Sequence, residues 1–212
     1  MQRLKMALQG QWRGCRLAFV HGFNNTPEEI AERMATIQAL LPAHVALSGQ
    51  EWTSVAGLAR RRYGVPDAAA AMLYPIDNYI TNRLAGRNLW LRPRMGERLC
   101  IVAHSRGCAV TTHWLMQDEG RQARVHRVAF LHPDVDEATF EKLPETFRHE
   151  KVKVFDTKGD YATSVSGAFD GGRDLMPYVR HSERAWVNLL SHNYWLDDRK
   201  ALKQVLDWLL DD

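Results

Sequence analysis

The stretch Leu99–Gly107, with the sequence LCIVAHSRG, decides the fold of this chain. Its apolar run followed by a polar turn predicts a buried strand over Leu99–Ala103, and the residues from Cys108 to Met116 predict a helix directly behind the turn. A serine at such a strand–turn–helix junction presents its hydroxyl group above the edge of a parallel sheet. Ser105 is therefore the candidate nucleophile.

The residues that flank Ser105 have the sizes that a sharp turn requires. Positions two before and two after the serine approach neighbouring backbone, so they must be small, and Ala103 and Gly107 meet that need. The helix N-terminus behind Ser105 adds partial positive charge where an oxyanion would develop. A serine that merely caps the helix would give the same local pattern, so the turn alone does not decide between the two.

The rest of the chain alternates strand-like and helix-like segments. The strand candidates are Cys15–Val20, His44–Leu47, Ala68–Tyr74, Leu99–Ala103, Val125–Leu131, Lys151–Asp156 and Trp186–Leu190. The helix candidates are Pro27 to about Leu41, Asn78–Leu91, Cys108–Met116, Asp136–Leu143 and Asp197–Leu210. This alternation predicts an α/β fold, in which a mostly parallel central sheet carries helices on both faces as a three-layer α/β/α sandwich.

Length and composition fit one soluble globular domain. The chain has 212 residues, of which 45% are hydrophobic, and we expect a single domain over 1–212 with a lid-like insertion around 48–67. The net charge of +3 is scattered, so no nucleic-acid partner is expected, and Arg60–Arg62 is interpreted as a solvated face or a helix end. Three cysteines do not make a disulfide framework, which favours a reducing cytoplasm. We expect neither a signal peptide nor a membrane span.

A second loop is predicted to lie beside Ser105. The segment His21–Asn25, with the sequence HGFNN, follows the first strong strand, and Gly22 allows close approach of its backbone. We expect the Phe23 backbone N–H to be one oxyanion donor, with Asn24 as its rival, and the Arg106 backbone N–H to be the other.

Three further side chains are predicted to line the substrate site. They are His21, Asn24 and His104. Of these, His21 and Asn24 are expected to brace the loop rather than to take part in the chemistry.

The general base is sought near the C-terminal end of the chain. Serine at its ordinary pKa is a poor nucleophile and needs a base, which in turn needs an orienting carboxylate. In this type of fold the chain order is Ser, Asp or Glu, then His. His192, in the loop between the last predicted strand and the last helix, is the favoured base, and His181 is the competitor.

The acid is expected in the loop after the strand Lys151–Asp156. Asp160 is favoured there, because Gly159 suits a sharp turn before it. Asp134 and Asp136, one strand earlier, are the rivals, and Asp156 is interpreted as structural.

The run His132-Pro133-Asp134-Val135-Asp136 offers too few ligands at suitable spacing to indicate a metal. We interpret it as a loop that caps the next helix. Neither a metal nor an organic cofactor is expected.

Five motifs together resemble a known family. HGFNN, AHSRG, HPDVDEATF, the Asp160 loop and SHNYW occur in this order. They resemble a largely uncharacterised bacterial family of α/β hydrolases marked by HGFN, AHSMG, APDVD and a late His-Tyr pair, over residues 17–196. The resemblance implies an α/β-hydrolase fold with Ser105 as nucleophile, Asp160 as acid and His192 as base.

The chain departs from the family pattern at two positions beside the candidate nucleophile. Arg106 stands where methionine is usual, and His132 stands where alanine is usual. The cation of Arg106 would either favour an acidic substrate or form a salt bridge with Asp134.

The resulting hypothesis is a serine hydrolase that cleaves a carboxylic ester or thioester of a small-molecule acyl substrate through an acyl-enzyme. One alternative is an acyltransferase with the same triad. The other is an inert binding module that recognises a partner through Trp52 and Arg60–Arg62. The sequence does not indicate the oligomeric state.

Overall fold

The computed structural model describes residues 14–50, 52, 54–76, 86, 89, 91, 96–157, 182–185 and 192–211. Its centre is a six-stranded parallel sheet with the strand order β2-β1-β3-β4-β5-β6. The strands are β1 Gly14–Val20, β2 Val45–Gln50, β3 Glu97–His104, β4 Val125–Leu131, β5 Val152–Thr157 and β6 Ser182–Ala185. The predicted parallel α/β architecture is confirmed.

The strand order reverses direction between β1 and β3. From β1 the chain moves outward to β2, whereas from β3 it moves the other way to β4, β5 and β6. In open parallel sheets ligands bind in the crevice at the carboxyl ends of the strands where this reversal occurs. The loops that leave β1 and β3 at that edge carry His21–Asn25 and Ser105.

Helices connect the strands and close the chain. Those described are α1 Pro27–Gln38, α2 Val55–Tyr63, α3 Asp67–Ala71, α4 Arg106–Met116, α5 Glu119–Arg124, α6 Glu137–Phe140, α7 Glu145–Lys151, α8 Tyr194–Asp197 and α9 Arg199–Leu210. Within the described ranges, no helix is long and apolar enough to cross a bilayer.

The sheet is buried on both faces, which explains why its central strands are continuously apolar. On β3, Ile101 packs in the hydrophobic cluster that contains Leu115 of α4, and the next residue, Val102, packs in the opposite cluster. The last helix contributes one apolar stripe to that second cluster, as predicted. Its buried members are Ala201, Leu202, Val205, Leu206 and Leu209, and the predicted Leu210 is partly buried against the same cluster.

The predicted strand Ala68–Tyr74 is wrong. Residues Asp67–Ala71 form the short helix α3, and the chain then turns through Met72. Four consecutive alanines have high helix propensity, and the segment lacks the β-branched residues that favour a strand. Only Ala70 of this segment is buried and Met72 is 81% exposed, so the apolar composition indicated neither the type of element nor full burial.

Much of the region predicted as an insertion has regular structure. Edge strand β2 continues to Gln50, beyond the predicted Leu47, and α2 begins after Ser54, whose side chain caps it by accepting from the Gly57 N–H. The predicted strand Trp186–Leu190 lies outside the described residues, as does most of the predicted helix Asn78–Leu91.

Helix α4 lies so close to the end of β1 that only glycine fits at its second residue. A Cβ atom at Gly107 would collide with the carbonyl oxygen of Val20 and lie 2.5 Å from that of His21. Both obstacles are backbone atoms, one at the end of the central strand β1 and one in the residue after it, so they cannot move aside without a large cost.

Replacing Gly107 with alanine should therefore destabilise the fold. Helix propensity alone predicts a gain of about 1 kcal/mol from Gly→Ala, but the overlap should outweigh it and lower the free energy of unfolding by about 3 kcal/mol. Urea titration measures the difference. Gly14→Ala on β1 is the control, because its Cβ would lie 4.0 Å from the nearest atom, Glu97 Cγ. A stabilised Gly107→Ala variant would contradict the close approach.

Candidate active site

Ser105 sits in a strained turn between β3 and α4. Its backbone has φ 52° and ψ −124°, in a region that residues with a Cβ rarely adopt, at a cost of about 1–3 kcal/mol. Three hydrogen bonds hold it there. The Ser105 N–H donates to the Leu131 carbonyl at 2.9 Å, and the Ser105 carbonyl accepts from Cys108 at 2.9 Å and from Asp134 at 3.2 Å.

The Ser105 hydroxyl does not cap the helix that it precedes. Ser105 occupies the N-cap position of α4, yet its side chain makes no capping hydrogen bond. The simple capping interpretation of the AHSRG turn is therefore wrong.

The loop after β1 passes directly beside this turn, as predicted. A Cβ at Gly22 would lie 2.9 Å from Ser105 Cβ and 3.2 Å from the His104 carbonyl oxygen. Only glycine allows the two loops to approach this closely. Gly22 thus brings the next residue, Phe23, to the neighbourhood of the serine.

The loop is braced from several sides. The Asn25 side-chain amide donates to the carbonyls of Gly22 at 3.1 Å and Phe23 at 2.9 Å, and the Arg60 guanidinium donates to the Asn24 carbonyl. Asn24 itself has φ 62°. Within the described residues the Phe23 N–H makes no hydrogen bond. These hydrogen bonds hold the loop that carries the Phe23 N–H, which stays the predicted oxyanion donor.

His21 is a buried brace of the same loop. Its Nδ1 lies 2.8 Å from the Gly22 carbonyl, its Nε2 accepts from the Trp52 backbone N–H at 3.4 Å, and its ring stacks on the Trp52 indole. The Trp52 indole N–H donates to the His21 carbonyl at 2.9 Å. Burial lowers the pKa of His21 to about 4. The ring is therefore neutral at physiological pH and holds the loop.

Three histidine rings meet at the carboxyl ends of β3 and β4. The His192 ring centroid lies 5.0 Å from that of His104 and 5.2 Å from that of His132. His104 Nε2 also lies 3.1 Å from the His192 carbonyl oxygen. His104 immediately precedes Ser105, so these contacts bring the C-terminal histidine loop to the side of the sheet that carries the candidate nucleophile.

His132 and Asp156 form a pair that was not predicted from the sequence. His132, fully buried and with φ 46°, places Nδ1 3.7 Å from Asp156 Oδ1. His132 directly follows β4, and Asp156 lies near the end of the adjacent strand β5. Their positions at the ends of two successive predicted strands were the signal in the sequence that could have indicated the pair. Asp156, interpreted as structural, thus lies within the same group of side chains as His192.

Asp134 and Asp136 have different roles. The Asp134 carboxylate accepts from the Tyr74 hydroxyl at 2.7 Å and pairs with the Arg106 guanidinium at 3.6 Å, which confirms the second alternative for Arg106. Asp136 caps α6 by accepting from the Thr139 N–H at 2.8 Å, as predicted for this loop. Asp160 and His181 lie outside the described residues.

Metal ligation has no support in the described ranges. No group of three or more His, Cys, Asp or Glu side chains there is arranged to hold a metal ion. The three-histidine group at Ser105 is a packed set of rings, in which His104 is buried and its pKa is held well below 6.5, chiefly by burial.

The fold and the serine turn define this chain as an α/β hydrolase in architecture. Residues 2–193 match a family described as "Alpha/beta hydrolase of unknown function", and the chain belongs to that family. No curated protein matches the chain.

The chain is also similar to solved structures of low sequence identity. An uncharacterized protein from Bacillus cereus ATCC 10987 is 14% identical over 99% of this chain and 67% of its own, with a TM-score of 0.54. Carboxylesterase CesB (YbfK) from Bacillus subtilis is 10% identical over 94% and 85%, with a TM-score of 0.49. Dienelactone hydrolase from Anabaena variabilis ATCC 29413 is 12% identical over 92% and 85%, with a TM-score of 0.48.

The neutral state of His21 predicts a loss of stability in acid. Its pKa is depressed from 6.5 to about 4 in the folded protein, so only the unfolded chain takes up this proton between those values. The free energy of unfolding should therefore fall by about 3 kcal/mol as pH decreases through this window. His104, whose pKa is also depressed, should add to the loss.

Urea titrations at neutral pH and at about pH 4 measure the effect. In His21→Asn the pH dependence should be weaker than in the wild type by the amount assigned to this ring. His44→Asn is the control, because His44 is exposed, and it should keep the wild-type dependence. Equal pH dependence in the wild type and His21→Asn would contradict the assignment.

Proposed function

We propose that this chain is a serine hydrolase that cleaves a carboxylic ester or thioester, with Ser105 as nucleophile, His192 as base and Asp160 as acid. The strained Ser105 backbone, φ 52° and ψ −124°, carries the proposal. Strain of this kind persists only where the surroundings enforce it, and it concentrates at functional sites. A serine with only a capping role would need neither the strain nor the glycine neighbours that permit it.

The surroundings of Ser105 suit the charge that develops in acyl transfer. The Phe23 and Arg106 backbone N–H groups, on the two loops that meet at Gly22, are the proposed oxyanion donors. Each such donor contributes about 3–4 kcal/mol to stabilising the transition state. The N-terminus of α4, an eleven-residue helix, adds partial positive charge at the same place.

His192 is the base best supported by position. It follows Ser105 in the chain, as the triad order requires, and its ring lies against those of His104 and His132 beside the serine turn. His192 would take the proton from the Ser105 hydroxyl as the oxygen attacks the acyl carbon, and then give it to the leaving group. Water, activated by the same imidazole, would release the acyl group from Ser105.

The contacts of Asp134 favour Asp160 as the acid. Asp134 is engaged by Arg106 and Tyr74, so orienting His192 would mean leaving a buried cation without its partner. Asp160 follows the end of β5 at Thr157 by three residues, in the loop where this fold supplies a carboxylate. Asp156 lies beside His132 and is the competitor that the structure adds.

The nucleophile can be tested by covalent labelling. A fluorophosphonate probe should label the wild type, and Ser105→Ala should abolish labelling and lower kcat on short-chain p-nitrophenyl esters by about a thousandfold or more. Ser48→Ala on edge strand β2 is the matched serine control and should label normally. Labelling that survives Ser105→Ala would remove the assignment.

The acid can be tested by comparing carboxamide variants. Asp160→Asn should lower kcat about ten-thousandfold, because the imidazole loses the group that fixes its tautomer. The kcat of Asp156→Asn should stay within about tenfold of the wild-type value. Asp118→Asn, which alters the exposed cap of α5, is the control and should keep the wild-type kcat. A full loss in Asp156→Asn together with an active Asp160→Asn would transfer the role to Asp156.

A further inference from the structure

We propose that Tyr74 is a positioning residue that, together with the buried Arg106–Asp134 ion pair, fixes the spacing of the two oxyanion donors. This inference rests on the proposed function, because it concerns the Phe23 and Arg106 N–H groups named there. It assigns a role to a residue outside the Ser-His-Asp set and explains the arginine that follows the nucleophile.

The ion pair is almost completely removed from solvent. The Arg106 and Asp134 side chains are 2% and 4% exposed. Burying two charges is costly unless further polar contacts compensate each of them. The Arg106 guanidinium donates to the Asp134 carbonyl at 3.1 Å, and its carbon lies 5.0 Å from the centre of the Tyr74 ring. The Tyr74 hydroxyl donates to Asp134 at 2.7 Å. Tyr74 therefore contacts both charges.

Tyr74 also contacts the other donor loop. Its ring meets the Phe23 ring edge-on, with centroids 5.2 Å apart and planes at 83°. Aromatic pairs prefer this geometry, which contributes about 0.5–1.5 kcal/mol beyond the area buried. The Phe23 side chain thus packs on Tyr74, and Tyr74 in turn contacts the Arg106 side chain.

This connection joins segments that are distant in the chain. Phe23 follows β1, Tyr74 follows α3, Arg106 begins α4 and Asp134 follows β4. Asp134 also holds the serine turn directly, since its N–H donates to the Ser105 carbonyl at 3.2 Å. Ser105 and both proposed donor residues are therefore connected by one set of contacts, in which the Arg106–Asp134 pair is buried and Phe23 and Tyr74 are partly buried.

Such a set matters because oxyanion donors act only at short range. They must lie 2.7–3.1 Å from the developing oxyanion, and a displacement of about 1 Å can lower a rate about a hundredfold. Donors on two separate loops need something to hold their separation. Tyr74 contacts the side chains of both donor residues and so connects the two segments that carry them.

Tyr74→Phe tests the hydroxyl while keeping the ring. Because the loops would lose one anchor but retain their packing, kcat on p-nitrophenyl butyrate should fall about tenfold, with KM within about twofold. Affinity for phenylboronic acid, which forms a tetrahedral anionic adduct with the serine, should fall by a similar factor. A purely structural role would lower the melting temperature without this split between kcat and KM.

Asp134→Asn changes the acceptor of the same Tyr74–Asp134 hydrogen bond and so tests it from the other side. If Tyr74 and Asp134 act through one hydrogen bond, the double variant should be no slower than the slower single variant. Independent roles would instead give losses in kcat that multiply. Tyr63→Phe is the matched control, because Tyr63 is 71% exposed on α2, and its kcat should equal that of the wild type.

The outcomes separate this inference from the proposed function. If the wild type is labelled at Ser105 but Tyr74→Phe keeps wild-type kcat and boronate affinity, the positioning role is overturned and the hydrolase stands. Multiplicative losses in the double variant would also overturn it. If the wild type is not labelled and has no esterase activity, the proposed function itself is overturned.

Discussion

The close approach of two backbones at one turn controls the geometry of the whole site. Gly107 at the start of α4 lies against the carbonyls of Val20 and His21, and Gly22 lies against Ser105. A methyl group at either glycine would separate the loops after β1 and β3. Because these loops leave the sheet where the strand order reverses, their contact places a strained serine beside fixed backbone amides. The histidine group and the buried ion pair are arranged around that contact.

Around this contact, the protein buries several polar and charged side chains. His21, His104, His132, Arg106, Asp134 and Asp156 are all buried at one edge of the sheet. Burying charge is costly, and two of the histidines avoid that cost by staying neutral, because burial lowers the pKa values of His21 and His104. The charges of Arg106 and Asp134 instead compensate each other as an ion pair. Such an arrangement is costly as a core and favourable as a rigid, preorganised site.

Sequence reasoning succeeded where the signal was local. Val125–Leu131 has the predicted bounds, and the strand before Ser105 differs only at its ends, because continuous apolar runs are typical of doubly covered strands. It was wrong at Ala68–Tyr74, where apolar content without β-branched residues formed helix α3. The pairing of Tyr74 with Asp134, and of His132 with Asp156, joins distant segments or adjacent strands. No local pattern encodes those contacts.

The sequence by itself determined the parallel α/β architecture and the turn at Ser105, because hydrophobic periodicity and the demand for small residues act over a few neighbours. Tertiary structure alone decided that the serine does not cap its helix, which of the two alternatives for Arg106 holds, and that His132 lies beside Asp156. Those outcomes depend on burial and on which distant groups come within hydrogen-bonding distance. Both are properties of the assembled sheet and its loops, and neither can be read from residues adjacent in the chain.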